Sequence, residues 1–219
     1  MAIVSESPAQ LAATVLATAW AMNASGINRG SAGNVSARCA GGFVITPTGM
    51  AYESCTAADM VHVGLDGSVS ASTPRKPSSE WRFHRDIYAA RPEAGAVVHT
   101  HSPFATALAC QGQGVPAFHY MVARFGGSEV RCAAYVTFGT QELSDAIIAA
   151  LDRRCGCLMA HHGMVVFGRD TEHALALAVE LETLCEQYWR VLQLGVPKLL
   201  SAAEMDSVLA KFAGYGQQD

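Results

Sequence analysis

Charge is scarce in this chain. Only 16% of its 219 residues are Asp, Glu, Lys or Arg, half are hydrophobic, and the formal net charge is −4. That balance offers no basic footprint for nucleic acid and no charge block that reads as a tail. It is the composition of a compact core, not of a disordered segment. Long apolar runs are missing as well. The stretch LAATVLATAWAMNA is too short to span a bilayer, and no Lys or Arg precedes it as in a signal peptide. The seven cysteines are an odd number, scattered along the chain. They form no disulfide framework and fit reduced thiols. Cys155-Gly156-Cys157 has no second cluster and reads as core packing. There is no Walker A motif, no G-x-G-x-x-G, no internal repeat and no interdomain linker. What remains is a single domain over residues 1–219, expected in the cytoplasm, with neither nucleic acid nor membrane as partner.

Strand and helix signals alternate. Ser7 and Pro8 open a helix that should reach Ser25-Gly26. The Gly-, Ser- and Asn-rich stretch 28–38 reads as a loop leading into a short strand. Strands are expected over 41–49, stopped by Pro47, and over 59–67, stopped by Asp66-Gly67. Ser78 and Ser79 can cap a helix that Arg91-Pro92 ends. A strand follows through Val97 and Val98, and Pro103 starts the next helix. VPAFHYM and VRCAAYVTFG look strand-rich, TQELSDAIIAALDR is an amphipathic helix, and CLMAHHGMVVFG looks like two strands broken at His162-Gly163. Asp170 caps a long helix closed by Gly195, and Ser201 with Glu204 opens a last short one. Interleaved strands and helices with short connections indicate one layered α/β domain with a mixed sheet.

Two groups of residues carry chemistry. His99 and His101 are separated by one residue at the end of a strand, so their side chains share a face. His161 and His162 offer further imidazoles at a break between strands, and Glu80 offers a carboxylate at a helix start. Three histidines with one open or carboxylate-filled position is catalytic zinc chemistry. His62, His84, His119 and His173 have no partner pattern and read as structural. The second group is a set of small donors: Gly30 to Asn34, Thr46 to Gly49, and Ser78-Ser79. Glycines let backbone approach an anion, hydroxyls and amides donate to its oxygens, and a helix N-terminus adds N–H groups. Together they describe a phosphate cradle near a metal.

Taken in order, GINRGSAGNVSAR, ITPTGM, KPSSEWRFHRDIYAARPEAGAVVHTHS, VPAFHYM, AAYVTFGTQELS, HHGMVVFG and KFAGYG cover nearly the whole chain. In this order they resemble the class II, zinc-dependent sugar-phosphate aldolases of the L-fuculose-1-phosphate aldolase group. That superfamily also holds 4-epimerases and methylthioribulose-1-phosphate dehydratases. The resemblance implies a three-layer αβα domain with a largely antiparallel central sheet. It implies one Zn²⁺ per chain on His99, His101 and His162, with Glu80 as general acid/base and as a fourth ligand before substrate arrives. Ser31, Asn34, Thr48, Gly49, Ser78 and Ser79 match the phosphate site. Tyr120 matches a tyrosine beside the reacting carbons, and Phe138, Phe212 and Tyr215 match residues that shape the aldehyde side across a subunit interface, with Tyr215 a catalytic candidate as well. Family members are C4 homotetramers with sites between neighbours, and the tail from about residue 201 to 219 would contribute to such a site.

The residue types suit that reaction. A retro-aldol cleavage must stabilise an enediolate, which a Lewis-acidic metal does. A carboxylate must deliver a proton, and a cradle must orient the bond to be broken. The expected activity is cleavage of a ketose 1-phosphate, either L-fuculose 1-phosphate or a 5-deoxy or 5-methylthio pentulose 1-phosphate, to dihydroxyacetone phosphate and an aldehyde. Epimerases of the superfamily tend to carry Asp where this chain has Glu80. Its dehydratases commonly carry Cys-x-His-x-His where this chain has Val97 to His101. A non-catalytic, adducin-like scaffold is the alternative of another class.

Overall fold

The computed structural model describes residues 8–71 and 73–212. Among these residues seven strands form one sheet: β1 (Asn34–Cys39), β2 (Gly42–Ile45), β3 (Val61–Gly64), β4 (Ala96–Thr100), β5 (Cys132–Ala133), β6 (Gly156–Met159) and β7 (Gly163–Gly168). Their order is β3-β2-β1-β4-β7-β6-β5. Only β5 and β6 pair in parallel; every other pair is antiparallel. Six α-helices flank them: α1 (Pro8–Ala24), α2 (Trp81–Ala90), α3 (Pro103–Cys110), α4 (Gln141–Ala150), α5 (Thr171–Leu194) and α6 (Ala202–Phe212). The mixed, largely antiparallel sheet expected from sequence is therefore present.

Strand alternation sends side chains into two cores. Val35, Ala37, Val44, Val98 and Val166 pack under α1, α3 and α5. Phe43, Ile45, Val97, Val165 and Phe167 pack with Phe83 and Ile87 of α2 and Leu143 and Ile147 of α4. In α1 the buried positions Leu11, Val15 and Ala19 repeat every four residues, as a helix lying on a sheet requires. Local caps hold the helix starts. Thr140 accepts from the Leu143 N–H, Asp170 from the His173 N–H, and Ser201 and Glu204 exchange bonds at the start of α6. The start of α3 is held from afar: the Glu182 carboxylate of α5 accepts the N–H groups of Phe104 and Ala105, both at 2.8 Å.

Three expectations need correction. VPAFHYM and VRCAAYVTFG are not strand-rich: Tyr120–Phe125 is a 3-10 helix and β5 is two residues long. The His119 ring caps the 3-10 helix and Gly126 closes it in the left-handed region, so its apolar residues pack under α6 instead of entering a ladder. Ser78 and Ser79 do not occupy the cap position of α2, which falls to Glu80. Ser78 instead makes the turn just before the helix, its Oγ accepting from the Glu80 N–H and its carbonyl from the Trp81 N–H. The polar stretch 28–38 is a loop only to Gly33. From Asn34 onward it is β1, paired on both sides by β2 and β4. The expected cap at Ser7, and Tyr215 with the end of the C-terminal tail, lie outside the described residues.

Candidate metal centre and active site

Strand β4 sits at the centre of the sheet and delivers His99 and His101 to the α2 side at one end. His99 is fully buried, its ring edge-on to Phe83 with centroids 5.5 Å apart. Its Nδ1 lies 2.8 Å from the Met164 carbonyl, which can only accept, so Nδ1 carries the proton and Nε2 keeps a lone pair. His162 closes the turn between β6 and β7, and β7 pairs with β4, so this turn lies beside the end of β4. Close approach there requires glycine: a Cβ on Gly163 would stand 2.3 Å from the Thr100 carbonyl oxygen. On the other flank, a Cβ on Gly33 would stand 2.4 Å from the His99 carbonyl oxygen. The three rings converge, with His99 4.9 Å from both His101 and His162, and those two 4.8 Å apart, centroid to centroid. His161 takes the left-handed turn position at φ 55° and points its ring at Tyr135 instead.

Glu80 closes the group from α2. Its Oε2 is 3.2 Å from His99 Nε2 and its Oε1 is 3.1 Å from His162 Nε2. One donor atom from each of Glu80, His99, His101 and His162 falls within 4.8 Å of the others. Burial alone would raise the Glu80 carboxyl, but its close contacts with His99 and His162 outweigh it and hold the group far below the ordinary carboxylate range. Removal from water, with His99 and His162 beside it, pushes His101 down to about 4. Glu80 Oε1 is buried without a hydrogen bond of its own. Three imidazoles and a carboxylate with an uncommitted oxygen form a donor set that fits a divalent metal ion. Beside this group opens a cavity of about 350 Å³, lined by Ala32, Ser79, Tyr135, Val136, Phe138 and the site itself.

The family model described as the class II aldolase and adducin N-terminal domain matches residues 13–189. The chain belongs to this family. A 5-methylthioribulose-1-phosphate/5-deoxyribulose-1-phosphate aldolase of Rhodospirillum rubrum is 54% identical over 191 residues, 87% of this chain and 86% of that one. An L-fuculose phosphate aldolase of Escherichia coli strain K12 is 43% identical over 208 residues, 94% of this chain and 96% of that one. A solved L-fuculose 1-phosphate aldolase superposes with a TM-score of 0.90 at 30% identity, covering 95% of this chain and 98% of that one. Among the described residues no helix of this aldolase-family chain is long and apolar enough to cross a membrane.

The remaining candidates divide by position. Ser79 lines the cavity, while Ser31, Thr48 and Gly49 are exposed on nearby loops. A backbone bridge between Pro47 and Pro77, with the Ser78 N–H on the Thr46 carbonyl at 3.0 Å, ties two of the small-donor stretches together. Asn34 and Ser78 are buried, and the Asn34 amide is engaged with Glu80 at 3.0 Å. Phe138 lines the cavity, whereas Tyr120 and Phe212 do not: Tyr120 is half-exposed against His119, and Phe212 lies on α6 beside Met121 and Arg124. Sequence reasoning missed His84. It is one helical turn from Glu80, wholly buried, and in contact with Asn34. Its signal was the polar content of β1, which puts Asn34 and Ser36 on the face toward α2.

Proposed function

We propose that this chain cleaves a 5-methylthio- or 5-deoxy-pentulose 1-phosphate, reversibly, to dihydroxyacetone phosphate and a small aldehyde, with Zn²⁺ as its metal. The observation that carries the reading is Glu80 in contact with His99 and His162 at the edge of a cavity. An aldol cleavage needs a metal site with a carboxylate beside it. Held by His99, His101 and His162, the cation supplies Lewis-acid stabilisation of negative charge. Glu80 takes and returns the proton at the carbon next to the carbonyl. Ser79, Thr48, Ser31 and the backbone at Gly49 bind the phosphate without a dedicated cation, with Ser78 and Asn34 shaping the wall behind them. Phe138 gives the aldehyde an apolar seat. The 54% identity to the Rhodospirillum rubrum aldolase favours acetaldehyde or methylthioacetaldehyde over lactaldehyde, and Val136 and Phe138 suit an apolar end.

L-Fuculose 1-phosphate is the second reading, supported by the 43% identical Escherichia coli relative. Tyr120 reaches the aldehyde oxygen only if it comes from a neighbouring copy, with Phe212 at the same interface, and Tyr215 is assigned the same proton-transfer role. This favours a C4 homotetramer with sites between subunits. Seven free cysteines suit the cytoplasm. The test is a panel of ketose 1-phosphates assayed for dihydroxyacetone phosphate, with metal content measured on the same samples. The expected result is one zinc per chain, loss of cleavage on chelation, recovery with Zn²⁺, and the highest kcat/KM on the methylthio or deoxy pentulose. A dehydrated ketone released without dihydroxyacetone phosphate would make the chain a dehydratase.

A further inference from the structure

Behind Glu80 a chain of buried polar groups runs between β1 and α2, and its hydrogens can be placed from one end. The Glu80 carboxylate only accepts, so the Asn34 amide nitrogen donates to Oε2 over 3.0 Å. That fixes the amide, and its oxygen faces His84 Nε2. An amide oxygen also only accepts, so Nε2 carries the ring proton. Burial holds His84 neutral, with its pKa pushed down to about 3. Nδ1 therefore keeps a lone pair, and Ser36 Oγ donates to it over 2.7 Å. The Ser36 hydrogen is then committed, so the Tyr88 hydroxyl donates to Ser36 Oγ over 2.7 Å. Tyr88, Ser36, His84 and Asn34 thus all donate in one direction, toward Glu80.

We propose that His84, as its Nε2–H tautomer, is a positioning residue that locks the Asn34 amide so that it aims the Glu80 carboxylate at the histidine cluster. The fold supports the arrangement twice. Asn34 sits opposite His99 in the β1–β4 register, so the amide and the cluster share one face. Phe83 stacks on His84 with centroids 4.7 Å apart and also meets His99, which clamps the ring from one side. Both ring nitrogens are bonded, as any buried imidazole requires, and the partner on the Nε2 side is the same amide that donates to Glu80.

The tautomer is read directly by nitrogen NMR of histidine-labelled protein, with and without metal. The expected signature is a neutral His84 ring protonated at Nε2. An Nδ1–H or a protonated ring overturns the proposal, whatever the substrate is. The kinetic half rests on the aldolase reading, and failure of that reading shows separately as no dihydroxyacetone phosphate from the unaltered protein. His84→Phe keeps the ring volume and removes both bonds. It should lower kcat by about 10–100-fold, the range for losing a partner that orients a site residue, with KM within about twofold. His84→Gln, which retains a donor for Asn34, should recover part of that. In a Glu80→Gln background the His84→Phe loss should vanish, because the two residues act as one unit. A wild-type kcat in His84→Phe, or an equal loss in both backgrounds, would overturn the proposal. If His84→Phe does not fold, the tautomer measurement decides alone.

Discussion

At the scale of the residue, Glu80 is the group to which the proposed mechanism assigns proton transfer. It combines deep burial with a negative charge, tolerated because His99, His162 and Asn34 surround it. Its place at the α2 N-terminus adds the favourable end of a helix dipole. Glu80→Gln preserves the shape and removes the proposed base. The expected outcome is a folded protein that keeps its metal on three histidines and loses about 10²–10⁴ in kcat, the usual worth of general acid–base catalysis. Exchange of a dihydroxyacetone phosphate C3 proton with D₂O should fall in parallel, since that step needs no aldehyde. A folded, metal-loaded Glu80→Gln protein that exchanged the proton at the wild-type rate would assign proton transfer to another residue. The glutamate and its histidine neighbours were legible as residue types in sequence. The Asn34 contact with Glu80 was not, because the two residues lie 46 positions apart in the chain.

At the scale of the element, β4 is a blade held between two close neighbours. Gly33 and Gly163 flank its active end, and each lets a backbone oxygen approach where a methyl group cannot stand. Gly163→Ala therefore has to push β7 away from Thr100, and His162 moves with it. Overpacking of this kind costs about 1–3 kcal/mol, so denaturant melts should show a lower midpoint, and metal titration a weaker affinity. A variant with unaltered midpoint and affinity would mean that the turn relaxes without disturbing the cluster. The histidine-glycine pair in sequence pointed to the turn but not to its reason, which is the register of β7 on β4. The stretches around Tyr120 and Cys132 misled because β-branched and aromatic residues signal burial as much as extension. Here they bury a 3-10 helix under α6.

At the scale of the whole molecule, the aromatic residues assigned to the site lie apart on one chain. Phe138 stands at the cavity, while Tyr120 and Phe212 lie elsewhere on the same chain. Under the proposed tetramer, one chain supplies the metal ligands and its neighbour supplies the tyrosine. Two crippled variants, His162→Ala and Tyr120→Phe, should then complement each other. Mixed by unfolding and refolding together, they should form hybrids in which about a quarter of the sites hold an intact His162 and a neighbour's intact Tyr120, by random association of closed oligomers. Activity above the sum of the separate variants is the expected result. Strict additivity would place Tyr120 and His162 in the same chain's site or remove Tyr120 from the chemistry.

What the sequence alone determined about this protein is local. The His99-x-His101 pair shares a face because a strand alternates with period two. The starts of α4, α5 and α6 are set by caps whose donor and acceptor lie three residues apart. The ordered motifs together carried the family. What only the tertiary structure decided runs between residues far apart in the chain. Asn34 reaches Glu80 across 46 positions and His84 across 50; His99 finds its orienting carbonyl 65 positions away. No spacing rule encodes those partners. They follow from β1, β4 and β7 lying side by side with α2 across one face, an order set by how the two hydrophobic cores close.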